Sequence, residues 1–220
     1  MDSRNPKENE SAGYAVRTEF LVGPGRAHDF EARWLETRGV LTAAPGFRSE
    51  ILLNGLGYPG KYVSITKWDG RDAFAAFYRS PAFRETARSG NGIYTINRLE
   101  EAYEVILTVG QPPRAPGAWC QLVEWNIKAG AAAKFEASRK TLFDLRQQHG
   151  GIFVSQLFRF LGNSSQYFVM QAYENRDAES AGRTVPQIQA FFAAHPATEY
   201  VTQAPVGEYY TTVEIASPAT

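Results

Sequence analysis

One segment of this chain is written twice. Laid at a constant offset of 105 with no gap, Tyr14–Pro81 matches Trp119–Pro186 at sixteen of sixty-eight positions, whereas ordinary residue usage gives roughly one in sixteen by chance. The shared pairs include Glu19/Glu124, Gly25/Gly130, Phe30/Phe135, Gly46/Gly151, Leu52/Leu157, Tyr62/Tyr167, Asp72/Asp177 and Pro81/Pro186. Such a repeat predicts two copies of one folding unit. It also supplies an internal control: positions that agree report shared structure, and positions that differ report specialisation of one half.

Within the first copy, Tyr14–Val22 is rich in β-formers and ends at Gly23-Pro24-Gly25, a turn that hands the chain to a helix. Phe30, Trp34, Thr37 and Leu41 recur at helical spacing over 26–43, and Pro45-Gly46 stops that run. Phe47–Asn54 and Lys61–Trp68 read as two strands around the glycine-rich stretch 55–60, Arg71–Tyr78 as a helix, and Ser80-Pro81 as an N-cap and first helical residue of another. A last strand is expected over 101–108. The second copy repeats the order with strands at 119–127, 152–160, 166–173 and 207–215 and helices at 131–147, 176–182 and 186–194. The fold class is therefore α+β, two ferredoxin-like β-α-β-β-α-β modules in one chain. Each sheet has helices on one face only, so the two bare faces are expected to cover each other. The expected divisions are a tail at 1–12, a first module at 13–110, a proline-rich linker at 111–117 and a second module at 118–216.

Lys+Arg and Asp+Glu are equal at 23 each, so no long-range field draws in nucleic acid or an anionic membrane. The tail carries both signs of charge and no apolar stretch, unlike a signal peptide or membrane anchor. The lone Cys120 excludes an internal disulfide and a cysteine-rich metal site, agrees with a reducing cytoplasm, and reads as a buried inert thiol. His28, His149 and His195 lack metal-ligand spacing and read as surface residues. Glu19 and Glu124, shared by both copies, predict a salt bridge across the module interface in preference to a general base. The 55–60 stretch joins strands and lacks a following Lys-Ser/Thr, so it is no phosphate loop. The aromatic share of 13% suits a cavity for a flat apolar ligand.

Several of these residues form a recognisable order: Pro24-Gly25 before the first helix, Pro45-Gly46-Phe47 after it, Tyr62-x5-Trp68, then Phe74, Phe77, Ser80-Pro81 and Phe83. This order resembles the antibiotic biosynthesis monooxygenase family of the dimeric α/β-barrel superfamily, over about 14–108 directly and 119–215 through the repeat. The resemblance implies an internal pseudo-dimeric barrel and leaves pairing with a second copy open. Haem degradation in that superfamily uses a histidine seven residues after the Ser-Pro serine. Here that position holds Ala87, and Phe192 in the second copy, neither of which binds iron.

The branch that the resemblance favours comprises cofactor-independent oxygenases of aromatic polyketide tailoring, with molecular oxygen as co-substrate. A small polycyclic substrate of anthrone, hydroquinone or quinone type is then expected, with a reduced-flavin oxygenase and a non-oxygenase cyclase or binding protein as alternatives. Alternation puts Tyr62, Ser64, Thr66 and Trp68 on one face of their strand, and by resemblance that face lines the ligand cavity beneath the helices. Trp68 and Ser64 are the candidate catalytic pair; Tyr62, Thr66, Trp34, Phe74, Phe77, Tyr78 and Phe83 are candidate substrate contacts, with Tyr167 and Tyr173 in the second half. Ser64 stands where that branch often has asparagine, and Phe74 where it has tyrosine. The second copy replaces Trp68, Ser64, Phe74 and Phe77 by Tyr173, Val169, Glu179 and Gly182. Two unequal cavities are expected, the first being the active one, although Trp119, Trp125, Phe191 and Phe192 offer rings for a different second cavity.

Overall fold

The computed structural model describes residues 13–89 and 92–218, and the tail read from 1–12 lies outside the described residues. The first module contains β1 (Tyr14–Val22), α1 (Ala27–Thr42), β2 (Phe47–Gly55), β3 (Lys61–Trp68), α2 (Arg71–Arg79), α3 (Pro81–Ser89) and β4 (Tyr94–Gly110). The second contains β5 (Trp119–Asn126), α4 (Ala132–His149), β6 (Ile152–Phe160), β7 (Gln166–Tyr173), α5 (Arg176–Thr184), α6 (Pro186–Ala194) and, after a short 3₁₀ turn, β8 (Val206–Ala216). Strand order is β2-β3-β1-β4 in one half and β6-β7-β5-β8 in the other, the ferredoxin-like arrangement in each.

The inner faces of the two sheets pack against each other, and their edges also join. β2 pairs antiparallel with β8, and β4 with β6, so the eight strands close into one barrel. Closure leaves no free row of backbone donors and acceptors at the sheet edges. It also explains the length of β4, which begins well before the expected 101. Its first part, Tyr94–Glu104, pairs with β1, and its second, Tyr103–Gly110, pairs with β6. One strand thus serves both modules.

Leu53, Val63, Ile65, Leu122, Phe158 and Met170 fill the barrel interior. Their alternate neighbours on the same strands face outward beneath the helices, as a period of two requires. The outer face of the first module packs on α1 through Phe30, against Phe20, Leu52 and Tyr62. In the second module Phe135 and Phe143 of α4 do the same against Leu157 and Tyr167.

The repeat identities now have physical reasons. Gly46 and Gly151 leave helices α1 and α4 at φ 78° and 71°, in the left-handed region. A Cβ on Gly46 would lie 2.6 Å from Cβ of Ala73, and one on Gly151 would lie 2.9 Å from Cβ of Ala178. Ala73 and Ala178 are themselves a matched pair. Tyr62 and Tyr167 donate to Glu31 and Glu136 at 2.6 and 2.7 Å, again equivalent positions.

Charge enters the barrel at one end. Arg17, 2% exposed, donates through Nη1 to Oε1 of Glu124 at 2.7 Å, and Glu19, 3% exposed, lies 3.2 Å from Lys61 Nζ and 3.8 Å from Arg17. The expected bridge between modules is present, and its carboxylates are engaged away from any cavity lined by the helices. Arg17 is buried while Glu124 is 37% exposed, so loss of the guanidinium returns Glu124 to water and leaves the buried Glu19 with Lys61 alone. Arg17→Ala is expected to lower stability by about 1–3 kcal/mol in urea denaturation. Arg17→Met combined with Glu124→Leu should recover most of that loss.

Candidate active site

Between the outer face of the first sheet and helices α1–α3 lies a cavity of about 220 Å³. Its floor is the set that alternation selected on β3, Ser64, Thr66 and Trp68, beside Val16, Thr18 and Phe20 of β1. Trp34 and Leu41 of α1, Phe74, Phe77 and Tyr78 of α2, and Phe83 of α3 make the walls. These rings touch in sequence: Trp68 lies 5.7 Å from Phe74 and 5.0 Å from Phe77, Phe77 is 5.0 Å from Phe83, and Tyr78 is 4.9 Å from Phe83. Ser80 caps α3 as expected, its Oγ accepting from the backbone N–H of Phe83 at 3.1 Å. Ala87 contributes a methyl group to the wall.

Trp68 is 1% exposed and its indole N–H donates to Thr66 Oγ1 at 2.9 Å. That donor is therefore spent inside the wall, and the side chain offers a ring face. Tyr62 is on the expected face but lies under Phe30, 4.6 Å between centroids, outside the cavity lining. The Tyr62–Glu31 bond shared with the other copy marks it as part of the common scaffold.

The cavity holds one feature that the pattern of β3 did not announce. Glu50 of β2, 2% exposed, lines it as a buried carboxyl. Ser64 Oγ donates to its Oε1 at 2.9 Å, and Trp34 Nε1 donates to its Oε2 at 3.2 Å. Arg38, whose positive charge acts on it, is drawn into its own pair with Glu214 at 2.6 Å. Burial pushes the Glu50 carboxyl up to about 7, against the opposing hydrogen bonds of Ser64 and Trp34, with Glu214 adding to the rise. A carboxyl near neutrality in an apolar pocket is poised to exchange a proton with a guest.

A bulge hides Glu50 from simple alternation. Phe47 pairs with Trp68, but Ser49 pairs with Lys67, so one extra residue shifts the face of everything after it. Glu50 and Leu52, which pair with Thr66 and Ser64, consequently face the helices. The one carboxylate of β2, standing before the apolar run Ile51–Leu53 and matched by Ser155 in the other copy, was the available signal.

The space equivalent to this cavity, beneath the helices of the second module, is nearly filled, and the open space beside Trp119 lies elsewhere, against the β2–β3 turn. The cavity there is about 10 Å³ and lies beside Tyr173, Arg146 and Ile188. Arg139 stands at the repeat position of Trp34, is 4% exposed, and lays its guanidinium 5.0 Å from the Trp125 ring and 5.1 Å from that of Phe135. Leu142, Ile188 and Phe191 fill the volume below. Tyr173 accepts from Arg146 Nη1 at 2.7 Å, and the same guanidinium reaches Gln171. Tyr167 and Tyr173, expected as substrate contacts, thus belong to a packed and hydrogen-bonded interior. Phe192 is exposed and rebuilds no cavity.

Cys120 is buried, which pushes its thiol up to about 12. His28 and His149 are exposed, but His195 is half-buried against Phe191, with Nδ1 3.4 Å from the Tyr200 hydroxyl, a correction to its reading as a surface residue. Among the described residues no three or more His, Cys, Asp or Glu side chains gather into a metal-binding group, and no helix is long and apolar enough to cross a membrane.

The sequence profile of the antibiotic biosynthesis monooxygenase family matches residues 13–89, the segment that carries most of this cavity. Solved structures share the fold over nearly the whole chain. A proposed monooxygenase from Fusobacterium nucleatum subsp. nucleatum superposes with a TM-score of 0.81 at 9% identity, covering 95% of this chain and 96% of its own. Another from Lactobacillus acidophilus gives 0.76 at 10% identity, with 94% and 97% covered. An anthrone oxidase-like protein gives 0.63 at 14% identity, with 96% and 95% covered. At these identities the likeness establishes the fold alone.

The raised Glu50 carboxyl fixes the sign of one stability effect. Its proton is held more tightly in the folded than in the unfolded chain, so its contribution is complete below the unfolded value of 4.5 and is lost as pH rises through about 7. Relative to wild type, Glu50→Gln should therefore gain stability between pH 5 and 8, by up to roughly 3 kcal/mol. Thermal melts across that range check this, and parallel curves for the two proteins would contradict it.

Proposed function

We propose that this chain, whose segment 13–89 is an antibiotic biosynthesis monooxygenase domain, is an oxygenase that oxidises a phenolic, anthrone-type ring with molecular oxygen and without an added cofactor. The observation that carries the reading is the pairing of an apolar, ring-lined cavity with a single buried carboxyl of raised proton affinity, Glu50. A flat guest lies against Trp68, Phe77 and Phe83. Glu50, as carboxylate, takes the acidic C–H or O–H proton. Apolar walls keep water from quenching the carbanion or phenolate that results.

That anion is its own reductant. It passes one electron to dioxygen, and recombination of the two radicals forms a carbon–oxygen bond to a peroxide. Glu50 returns its proton to the peroxide, which then breaks its O–O bond, loses water and leaves a carbonyl on the ring. One dioxygen supplies the new carbonyl oxygen and the oxygen of the water, so the electrons balance within substrate and oxygen. Ser64 and Trp34 are positioning residues: they hold the carboxylate in place and favour its charged form.

Size narrows the guest. A cavity of about 220 Å³ is below the roughly 300–1,000 Å³ of drug-sized ligand sites. A tricyclic ring system requires Tyr78 and Phe83 to swing outward. They stand on α2 and α3, whose described residues include none that is fully buried, so that wall yields more readily than the sheet. The same base would also suit an aldol-type cyclisation, and oxygen uptake separates the two readings.

The test is oxygen consumption with 1,8-dihydroxyanthrone as substrate, in buffer free of flavin and metal. Uptake above the spontaneous rate is expected, with kcat/KM rising with pH through about 7. Glu50→Gln should lower kcat by roughly 10²–10⁴-fold. Ser64→Ala and Trp34→Phe each remove a donor to the ionised carboxyl, so each should move the rise to higher pH. Uptake only with reduced flavin would overturn the cofactor-free step, and full activity in Glu50→Gln would overturn the assigned base.

A further inference from the structure

A larger cleft, of about 720 Å³, lies where the β2–β3 turn meets β8 and α5. It shares no lining residue with the Glu50 cavity, and the oxygenase reading makes no use of it. Its volume is within the usual range for small-molecule sites. The turn is fixed to its floor by the backbone N–H of Leu56, which donates to the carbonyl of Tyr209 at 2.9 Å.

The internal repeat shows that this space is a departure from the shared scaffold. In the first module Tyr14, Phe74 and Tyr78 occupy the equivalent positions and pack as tilted rings, with centroids 6.0 Å apart for Tyr14–Phe74 and 5.9 Å for Phe74–Tyr78. In the second module their counterparts are Trp119, Glu179 and Arg183. Glu179 turns to Arg183 at 2.5 Å, the ring packing is lost, and the cleft opens beside Trp119.

The chemistry of the lining is specific. Trp119 and Tyr209, 5.4 Å apart, form an aromatic wall, with Tyr58 exposed across from them on the turn. Of the three cations, Lys61 is paired with Glu208 at 2.7 Å and with Glu19, and Arg183 with Glu179. Arg176 lies 5.9 Å over the Trp119 ring and, among the described residues, makes no ion pair. The indole N–H of Trp119 is buried without an acceptor, a condition uncommon enough to ask for a partner. The cleft therefore presents ring faces and one uncompensated guanidinium.

We propose that this cleft is a second ligand site, for a planar aromatic carboxylate. Its ring stacks on the Trp119–Tyr209 wall, and its carboxylate pairs with the Arg176 guanidinium, whose fork matches that group. Calorimetric titration with anthraquinone-2-carboxylate is the test, since it reads binding and not turnover. Binding to the wild type is expected, weakened about tenfold or more by Arg176→Gln, by Trp119→Leu, and by replacing the probe with anthraquinone-2-carboxamide. Glu50→Gln should leave it unchanged. Because Arg176 is on the exposed face of its helix, the Arg176→Gln result stands even if Trp119→Leu folds poorly. Absence of binding, equal affinity in Arg176→Gln, or loss in Glu50→Gln would overturn the proposal, and none of these outcomes depends on oxygen uptake.

Discussion

Edge-to-edge pairing of β2 with β8 and of β4 with β6 is the constraint on which the rest of the molecule rests. A four-stranded sheet with helices on one face has two liabilities, an apolar face and two open edges. Joining the halves resolves both at once. The interior becomes a dry core of aliphatic and aromatic side chains, crossed at one end by the Arg17–Glu124 pair. The outward faces are then free to be shaped separately, because their strands are already held from within.

That freedom accounts for the contrast between the two outer faces. On the first, rings stand apart and leave room around Glu50. On the second, Arg139, Phe191 and Ile188 close the equivalent space. Opposing effects set the proton affinity of Glu50. Removal from water disfavours its charge by more than Ser64 and Trp34 restore, and the Arg38 guanidinium is occupied by Glu214. A free arginine in place of the Arg38–Glu214 pair would hold Glu50 ionised and poorly basic.

Much of this was legible in the residues. The repeat located both modules, and β3, β6, β7 and α6 have the bounds that pattern and turn residues gave them. Period-two alternation put Ser64, Thr66 and Trp68 on one face of β3, and the family resemblance made that the face of the cavity. On β2 the bulge at Phe47–Ser49 inverts the faces, so alternation there does not disclose Glu50. Alternation also could not tell Tyr62 from its neighbours, because whether an outward ring meets a cavity or a helix depends on Phe30, which arrives from α1. The early start of β4 was invisible for a similar reason: Tyr94–Glu104 becomes strand by pairing with β1, a contact between residues far apart in sequence. The large cleft lay beyond local pattern as well, since β2, β8 and α5 meet only once the barrel closes.

The proline-bearing connection from Gln111 to Gly117 has an implication of its own. When two identical subunits assemble, every amino-acid replacement arrives twice, so a cavity cannot be sealed in one without being sealed in its mate. Covalent tethering lifts that symmetry. A buried guanidinium can plug one half while the other stays hollow, and the plugged half can go on supplying strands, edges and rigidity for a neighbour that keeps its pocket.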